Sequence, residues 1–360
     1  MTLSLDQLRS FAVQRSFRPL VPLGAAVEAL GFIQADPIRA PARAQDLILR
    51  QRVSGYRPGD LDRRFGRLGL EEDFLYAYGF MPRETMRLLH PRPDAEDAEA
   101  DYEPQGLAAE VLALVRERRE THPRDLETAF GRERALNAWG GFSKETTQIL
   151  HRLHYHGLLR VARRQDGIRV YTAAEPLGAP LPAAERRRRV LLLLLAIFAP
   201  ISVSSLKGVL NLLRRGAPGL GPLVPALDQL LTEGSVETAA LDREQYLWPA
   251  AQTKETLAQS RGVRFLAPFD PLVWDRRRFA HFWDWTYRFE AYTPPKQRQF
   301  GYYALPVLWR ETIIGWVNAG FSDGVLSLER GFINRPPRGQ DFVRAFDAEA
   351  ARLEQFLKNA

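Results

Sequence analysis

Gly157-Leu158-Leu159-Arg160-Val161-Ala162-Arg163-Arg164-Gln165-Asp166-Gly167-Ile168-Arg169-Val170-Tyr171 is the stretch from which the fold is read. Two β-prone runs flank Asp166-Gly167, a dipeptide suited to the left-handed backbone of a two-residue hairpin turn. The reading is strand, turn, strand, with Arg163 and Arg164 near the tip. Upstream, residues 107–120 read as a helix, and His122-Pro123-Arg124-Asp125-Leu126 opens a second. Residues 143–156 make a third, with Ser143 as its cap. Three helices followed by a hairpin with a basic tip describe a winged helix. The order recurs downstream, with helices over 185–199, 203–213 and 220–233 and strands over 234–238 and 245–248. Little residue identity survives between the two, so the repeat is structural.

The flanks complete the expected architecture. Residues 5–14, 23–32 and 42–52 read as short amphipathic helices, and the helical reading continues over 61–70. Pro82 opens a helix through Leu89, and the acidic, proline-containing stretch 91–104 reads as a linker. After Arg261 the chain turns aromatic and strand-like. Residues 287–292, 301–309, 312–318 and 325–328 read as consecutive antiparallel strands of a small barrel, closed by a helix over 341–357. The expected fold class is α+β, mainly helical: tandem winged-helix units followed by a C-terminal β-barrel domain. The expected domains are 1–103, 104–180, 181–260 and 261–360.

A chain of 360 residues, 45% apolar and 26% charged, has the composition of an ordinary globular protein with room for several cores. The apolar run 190–198 is too short to cross a bilayer, and the N-terminus lacks the pattern of a secretory signal. The absence of cysteine excludes disulfide and thiolate chemistry. His151, His154 and His156 lie too close together on one helix to give zinc-ligand spacing. A cytoplasmic protein with neither metal nor cofactor is expected.

The net charge of +7 favours a polyanionic partner. Only five of the 50 basic residues are lysines, a bias that a GC-rich genome explains as well as function does. The distribution of charge says more. Residues 151–215 hold twelve basic against three acidic residues, whereas 71–103 hold three against ten. A basic belt and a separate acidic stretch suggest one face built for a polyanion.

Chemistry concentrates at Gln34-Ala35-Asp36, which follows an apolar run and opens onto Pro37-Ile38-Arg39-Ala40-Pro41-Ala42-Arg43. An amide and a carboxylate two apart project the same way from an extended segment. A carboxylate can activate water or stabilise a nascent sugar cation, and an amide can orient that water. The arginines around the triplet, Arg39, Arg43 and Arg50, are candidate phosphate contacts. Arg163 and Arg164 would reach phosphates or a minor groove, or else form a solvated hairpin tip. The run Arg186–Arg189 would contact phosphate or solvate a helix start. Phe269-Asp270-Pro271-Leu272-Val273-Trp274-Asp275-Arg276-Arg277-Arg278 reads as an ion-paired corner, or as one that brings Arg276 and Arg277 to a DNA backbone. Trp283, Trp285, Tyr302 and Tyr303 read as core rather than as stacking platforms.

Four stretches together resemble the crosslink-repair DNA glycosylases typified by YcaQ (also called AlkX) and AlkZ. They are Ile33-Gln34-Ala35-Asp36, Phe80-Met81-Pro82-Arg83, the string from Pro268 to Arg276, and Tyr292-Thr293-Pro294 with the following Arg298-Gln299-Phe300-Gly301-Tyr302-Tyr303 and Leu305-Pro306. The resemblance implies tandem winged helices around a DNA channel with a C-terminal barrel, and excision of N7-alkylated purines, crosslinks included, from double-stranded DNA. It makes Gln34 and Asp36 the catalytic pair, matching the Gln-x-Asp of one branch rather than the Gln-x-Gln of the other. With no lysine near the motif to form a Schiff base, monofunctional hydrolysis is expected. The resemblance departs at Tyr76, where a histidine is usual, and in Gly315-Trp316-Val317-Asn318-Ala319-Gly320, where charged positions are neutral. Those departures give weight to a second reading, a non-catalytic DNA-binding protein on the same fold.

Overall fold

The computed structural model describes residues 3–92, 102–131, 133–136, 142–252 and 262–359. They gather into two compact units. One comprises Met1–Leu61, Leu191–Asn211 and Val224–Ala360, and the other Asp62–Val190 and Leu212–Leu223. Helices and antiparallel strands make up both. Most of the stretch read as a linker, 91–104, lies outside the described residues.

The first unit begins with the helix Leu5–Ser16. Ser4 and Gln7 cap it reciprocally, the Ser4 hydroxyl accepting from the Gln7 N–H at 3.2 Å and the Gln7 side chain from the Ser4 N–H at 2.8 Å. The helix Leu23–Leu30 follows and ends at Gly31, whose φ of 66° lies in the left-handed region. A Cβ at Gly31 would meet Leu193 Cδ1 at 2.4 Å, so the turn into Ile33–Gln34 requires glycine both for its conformation and for its space. The helix Ala44–Arg50 is buried along nearly its whole length.

Further along this unit, the strand Ile201–Ser202 pairs with Glu244–Pro249, which pairs with Val236–Leu241. The helix Val224–Thr232 leads into that hairpin. A core of Leu8, Val13, Trp248, Leu272, Phe279, Phe282 and Trp283 ties the N-terminal helix to the later segments.

The C-terminal strands form an open antiparallel sheet, not the expected barrel. Its order is Val263–Phe265, Leu305–Trp309, Thr312–Ser322 and Val325–Phe332, and among the described residues its ends do not close on one another. The helix Gln340–Lys358 carries an apolar face of Phe342, Phe346, Leu353 and Phe356. The expected strand over 287–292 is also absent. That segment is held by side chains instead of a ladder: the Tyr287 hydroxyl donates to the Ala304 carbonyl at 2.7 Å, and Glu290 accepts the N–H groups of Gln299 and Phe300 at 2.9 and 2.7 Å.

Of the three departures in the Gly315–Gly320 stretch, Trp316, Asn318 and Gly320, the first two have structural roles. Trp316 stacks on Trp285 with ring centroids 5.8 Å apart and meets Phe300 edge-on. Asn318 Nδ2 donates to the Phe300 carbonyl at 2.6 Å.

The second unit contains a hairpin over a stretch, 71–81, to which the sequence reading gave no element. Leu70–Phe74 pairs with Tyr78–Pro82, and the helix Arg83–Leu89 follows as expected. The helices Leu107–Glu117, Pro123–Phe130 and Glu145–Tyr155 come next. A short strand pair, Arg134–Leu136 with Phe142–Lys144, separates the last two. Ser143 therefore lies in a strand, and the position before the third helix is Lys144, which makes no side-chain cap. The hairpin Leu159–Gln165 with Ile168–Ala173 turns at Asp166 and Gly167, whose φ values of 50° and 80° are those of the predicted turn. Val111, Val115, Leu126, Leu150, Leu153, Val161 and Tyr171 pack together beneath it.

Candidate active site

Gln34 and Asp36 follow the turn at Gly31 in extended chain, with Ile33 buried behind them. The Asp36 carboxylate accepts the Ile38 N–H on Oδ1 at 2.8 Å, and its own N–H donates to Gln45 Oε1 at 3.3 Å. The first bond is an Asx turn that fixes the carboxylate direction. The second ties the backbone to the buried helix Ala44–Arg50. Asp36 is 8% exposed, and among the described residues no cation pairs with it. Burial pushes its carboxyl above the ordinary carboxylate range, opposed in part by the Ile38 N–H.

Gln34 is held from the other side. Trp274 Nε1 donates to its Oε1 at 2.9 Å. Because an indole N–H can only donate, this bond fixes which end of the amide is which, and Nε2 is the end left to meet a water or substrate atom.

Trp274 is itself positioned by the string around it. Asp270 caps the short helix Pro271–Trp274 through the Leu272 N–H and forms two bonds with Arg52 at 2.7 and 2.9 Å. Asp275 caps the next helix, Arg276–Trp283, and accepts the Ser205 hydroxyl at 2.8 Å. Arg278 is buried and donates to the carbonyls of Pro200, Pro271 and Leu272, at 3.3, 2.7 and 3.0 Å, and to that of Phe198. The corner read from the sequence is not ion-paired within the string: Asp270 takes its cation from Arg52, whereas Arg276 and Arg278 donate to carbonyls, and the corner so built aims Trp274 at Gln34. Sequence reasoning did not connect the two, because 240 residues separate them.

The candidate DNA-contacting arginines fall into two groups. Arg39 and Arg277 are exposed. Arg43 is half-buried, with Nε 3.1 Å from Asp46. Arg163, in the second unit, pairs with Glu120 at 2.7 Å, both side chains being well exposed. The others are engaged inside the protein. Arg50 donates twice to buried Glu349, at 2.9 and 3.0 Å, and Glu349 also accepts from Gln51 and from the Phe265 N–H. Arg276 donates to the Pro268 and Val273 carbonyls and lies over the Tyr287 ring at 4.5 Å. Arg164 pairs with buried Glu72.

The basic belt and the acidic stretch are not separate faces. Within the second unit, two acids on the strand Leu70–Phe74 take partners from the arginines of the belt, while Asp73 pairs with Arg92 outside it. Glu71 meets Arg160, and Glu72 meets Arg164 and Arg169. Arg186 from the run of four is buried and donates to the Leu88 and Pro91 carbonyls.

A cavity of about 410 Å³ in the first unit is lined by Arg18, Val21, Ala29, Leu30, Arg52 and Ile197 among others, and includes neither Gln34 nor Asp36. The chemistry is therefore assigned by side-chain arrangement, not by cavity size. Among the described residues, no cluster of His, Asp or Glu could hold a metal ion, and no helix is long and apolar enough to cross a membrane.

An oriented, desolvated carboxylate beside a fixed amide is the equipment of enzymes that cleave glycosidic bonds. Comparison with known proteins agrees: the family described as DNA glycosylase AlkZ-like matches residues 27–356. The chain belongs to the AlkZ-like DNA glycosylase family, which makes DNA its substrate and DNA repair its setting. Among solved structures, the DNA glycosylase AlkZ of Streptomyces sahachiroi is similar to it with a TM-score of 0.63 and 16% identity. The match covers 99% of this chain and 98% of that one, so the likeness is one of the whole fold.

Proposed function

We propose that this protein is a monofunctional DNA glycosylase that hydrolyses the N-glycosidic bond of N7-alkylated purines in duplex DNA, interstrand crosslinks among its substrates. The observation that carries the reading is Asp36, a buried carboxylate with a fixed direction and no cationic partner among the described residues. An N7-alkylated purine already carries positive charge, so the base needs little protonation to leave. As C1′–N9 breaks, its electron pair departs with the base and neutralises that charge. Positive charge develops on the sugar, where a carboxylate in a poorly solvated corner stabilises it more strongly than water does. Gln34 Nε2 donates to the attacking water. The water oxygen bonds to C1′, and its proton passes to Asp36.

The element order over 104–180 and 181–260 supports a reading of both stretches as winged-helix units that track the duplex. Exposed Arg39, Arg277 and Arg163, with Arg43, are the side chains we assign to phosphate contacts.

The test is base release from duplex DNA carrying a single N7-methylguanine, with wild type, Asp36→Asn and Gln34→Ala compared. Release by wild type that collapses in Asp36→Asn is the expected result. Salt-sensitive binding of the same duplex without release would instead describe a DNA-binding protein that has lost this chemistry.

A further inference from the structure

Tyr303 lies one residue before Ala304, whose carbonyl accepts the Tyr287 hydroxyl at 2.7 Å, and two before the strand Leu305–Trp309. Its ring packs edge-on against Phe289 with centroids 5.3 Å apart, and the residue is 3% exposed. Its ring is thus held by packing. Yet its hydroxyl is buried and has no hydrogen-bond partner among the described residues. Leaving such a group without a partner is costly, and buried tyrosine hydroxyls usually find one. After burial itself, the groups that act on this hydroxyl are Asp36, Tyr287, Tyr292 and Tyr302, and Asp36 is the one carboxyl group among them.

We infer that Tyr303 is a positioning residue for Asp36, its hydroxyl donating to the second carboxylate oxygen once DNA occupies the corner. The inference rests on the proposed function, because it assigns Asp36 the ionised form in the reaction. Asp36 Oδ1 is already occupied by the Ile38 N–H, so Oδ2 is the oxygen that lacks a donor from its own segment. The attacking water is excluded as Tyr303's target by counting lone pairs. A water that accepts from Gln34 Nε2 and donates to Asp36 has one lone pair left, and that pair must form the bond to C1′. A second donor to the water would remove its nucleophilicity, whereas a donor to the carboxylate stabilises the charge on which the reaction depends.

The need for such a donor grows as DNA binds. Burial already favours the neutral acid at Asp36, and a closing duplex adds further desolvation and phosphate charge. The remaining titratable groups around Asp36 do not supply the donor. Tyr287 is committed to Ala304, Arg43 is near Asp46, Asp46 accepts from Tyr56 and the Gly59 N–H, and Arg39 is exposed. Burial and the Asp36 charge both push the Tyr303 hydroxyl upward, so it keeps its proton and is available to donate.

The experiment is the pH dependence of single-turnover base release from the N7-methylguanine duplex for wild type and Tyr303→Phe. The phenylalanine variant preserves the ring packing. The expected result is an acid limb moved upward by about half a pH unit or more in Tyr303→Phe, with the two enzymes converging at high pH. A uniformly lower rate with the limb in place would assign Tyr303 to packing and overturn the inference. The Asp36 carboxyl can also be titrated by carbon-13 NMR in protein bound to undamaged duplex, its resonance identified by its loss in Asp36→Asn. An upward-shifted titration in Tyr303→Phe supports the inference and an unchanged one overturns it. This second readout needs no base release, so failure of the glycosylase reading and failure of the Tyr303 inference are separately visible.

Discussion

Asp73 and Asp36 are both buried aspartates on or beside short extended segments, and their neighbours differ in kind. Asp73 lies on the strand Leu70–Phe74 with the Arg92 guanidinium 2.7 Å away, and Arg92 also donates to the Tyr155 carbonyl at 2.9 Å. Although burial works against the charge, Arg92 and His154 hold the Asp73 carboxyl below the ordinary carboxylate range. At Asp36 the balance runs the other way: burial dominates, one backbone N–H opposes it, and the carboxyl is pushed upward. A buried carboxylate with a bidentate or close arginine partner is neutralised in place and serves the fold. One buried without a partner retains a charge able to act on something that arrives from outside.

The comparison breaks most sharply at Asp36 itself. Asp36→Asn is expected to lower base release by about 10²–10⁴-fold, in the range found for removal of a positioned acid or base. Thermal stability should change little, since no ion pair is lost. The wild-type rate should also fall with decreasing pH. Asp36 acts ionised and its carboxyl lies above the usual carboxylate value, so activity is present above that raised pKa and lost as pH drops through it. An acid limb at or below the ordinary carboxylate pKa of about 3.9 would contradict the burial argument.

Asp73→Asn probes the other arm. It leaves the Arg92 guanidinium buried with its counter-ion gone, and truncating one partner of a buried pair costs about 3–5 kcal/mol. The measurement is the urea midpoint of unfolding, with base release assayed under conditions where the variant is folded. A large stability loss with base release largely retained is expected. If Asp73→Asn and Asp36→Asn prove equally stable, the contrast between paired and unpaired carboxylates is wrong.

Between these extremes lies Trp274→Phe, which keeps the aromatic packing against Phe198 and removes the N–H that fixes Gln34. A neutral hydrogen bond contributes about 1 kcal/mol, so the expected loss in base release is about fivefold. Gln34→Ala should show little further loss when combined with Trp274→Phe, because both act on one amide. Full additivity in the double variant would separate Trp274 from Gln34.

How far the sequence showed all this depends on the distance between the residues concerned. The Gln34-Ala35-Asp36 triplet, the Asp166-Gly167 turn and most helices were legible because their signals are local: a short motif, a two-residue turn, an apolar period. The hairpin over 70–82 was not, because Glu71-Glu72-Asp73 has little strand propensity and is tolerated there only by arginines supplied from elsewhere in the unit, from Arg83 and Arg92 to Arg169. Residues 287–292 misled in the opposite direction. Tyr287 and Phe289 alternate as in a strand, but Glu290 and Tyr287 bind neighbouring backbone directly and the ladder never forms. The barrel failed for a related reason: that strand is lost, Val263–Phe265 pairs beside Leu305–Trp309 instead, and the four-stranded sheet stays open among the described residues. Of the candidate site, Gln34 and Asp36 stand out in the chain, whereas Trp274 joins them only in three dimensions.

The smallest expected effect concerns charge outside the corner. The overall excess of arginine overstated the DNA-facing charge, because Arg50, Arg164, Arg186 and Arg276 are engaged within the protein. Arg39 is exposed three residues from Asp36, so its role is separable from folding. Replacing it with alanine should weaken binding to any duplex uniformly, and should reduce the slope of log affinity against log salt by about one. The paired arginines give the control: Arg164→Ala should leave that slope nearly unchanged while destabilising the fold, because its charge already belongs to Glu72. If Arg164→Ala lowers the salt slope as much as Arg39→Ala does, the internal pair opens on DNA, and pairing no longer marks a residue as structural.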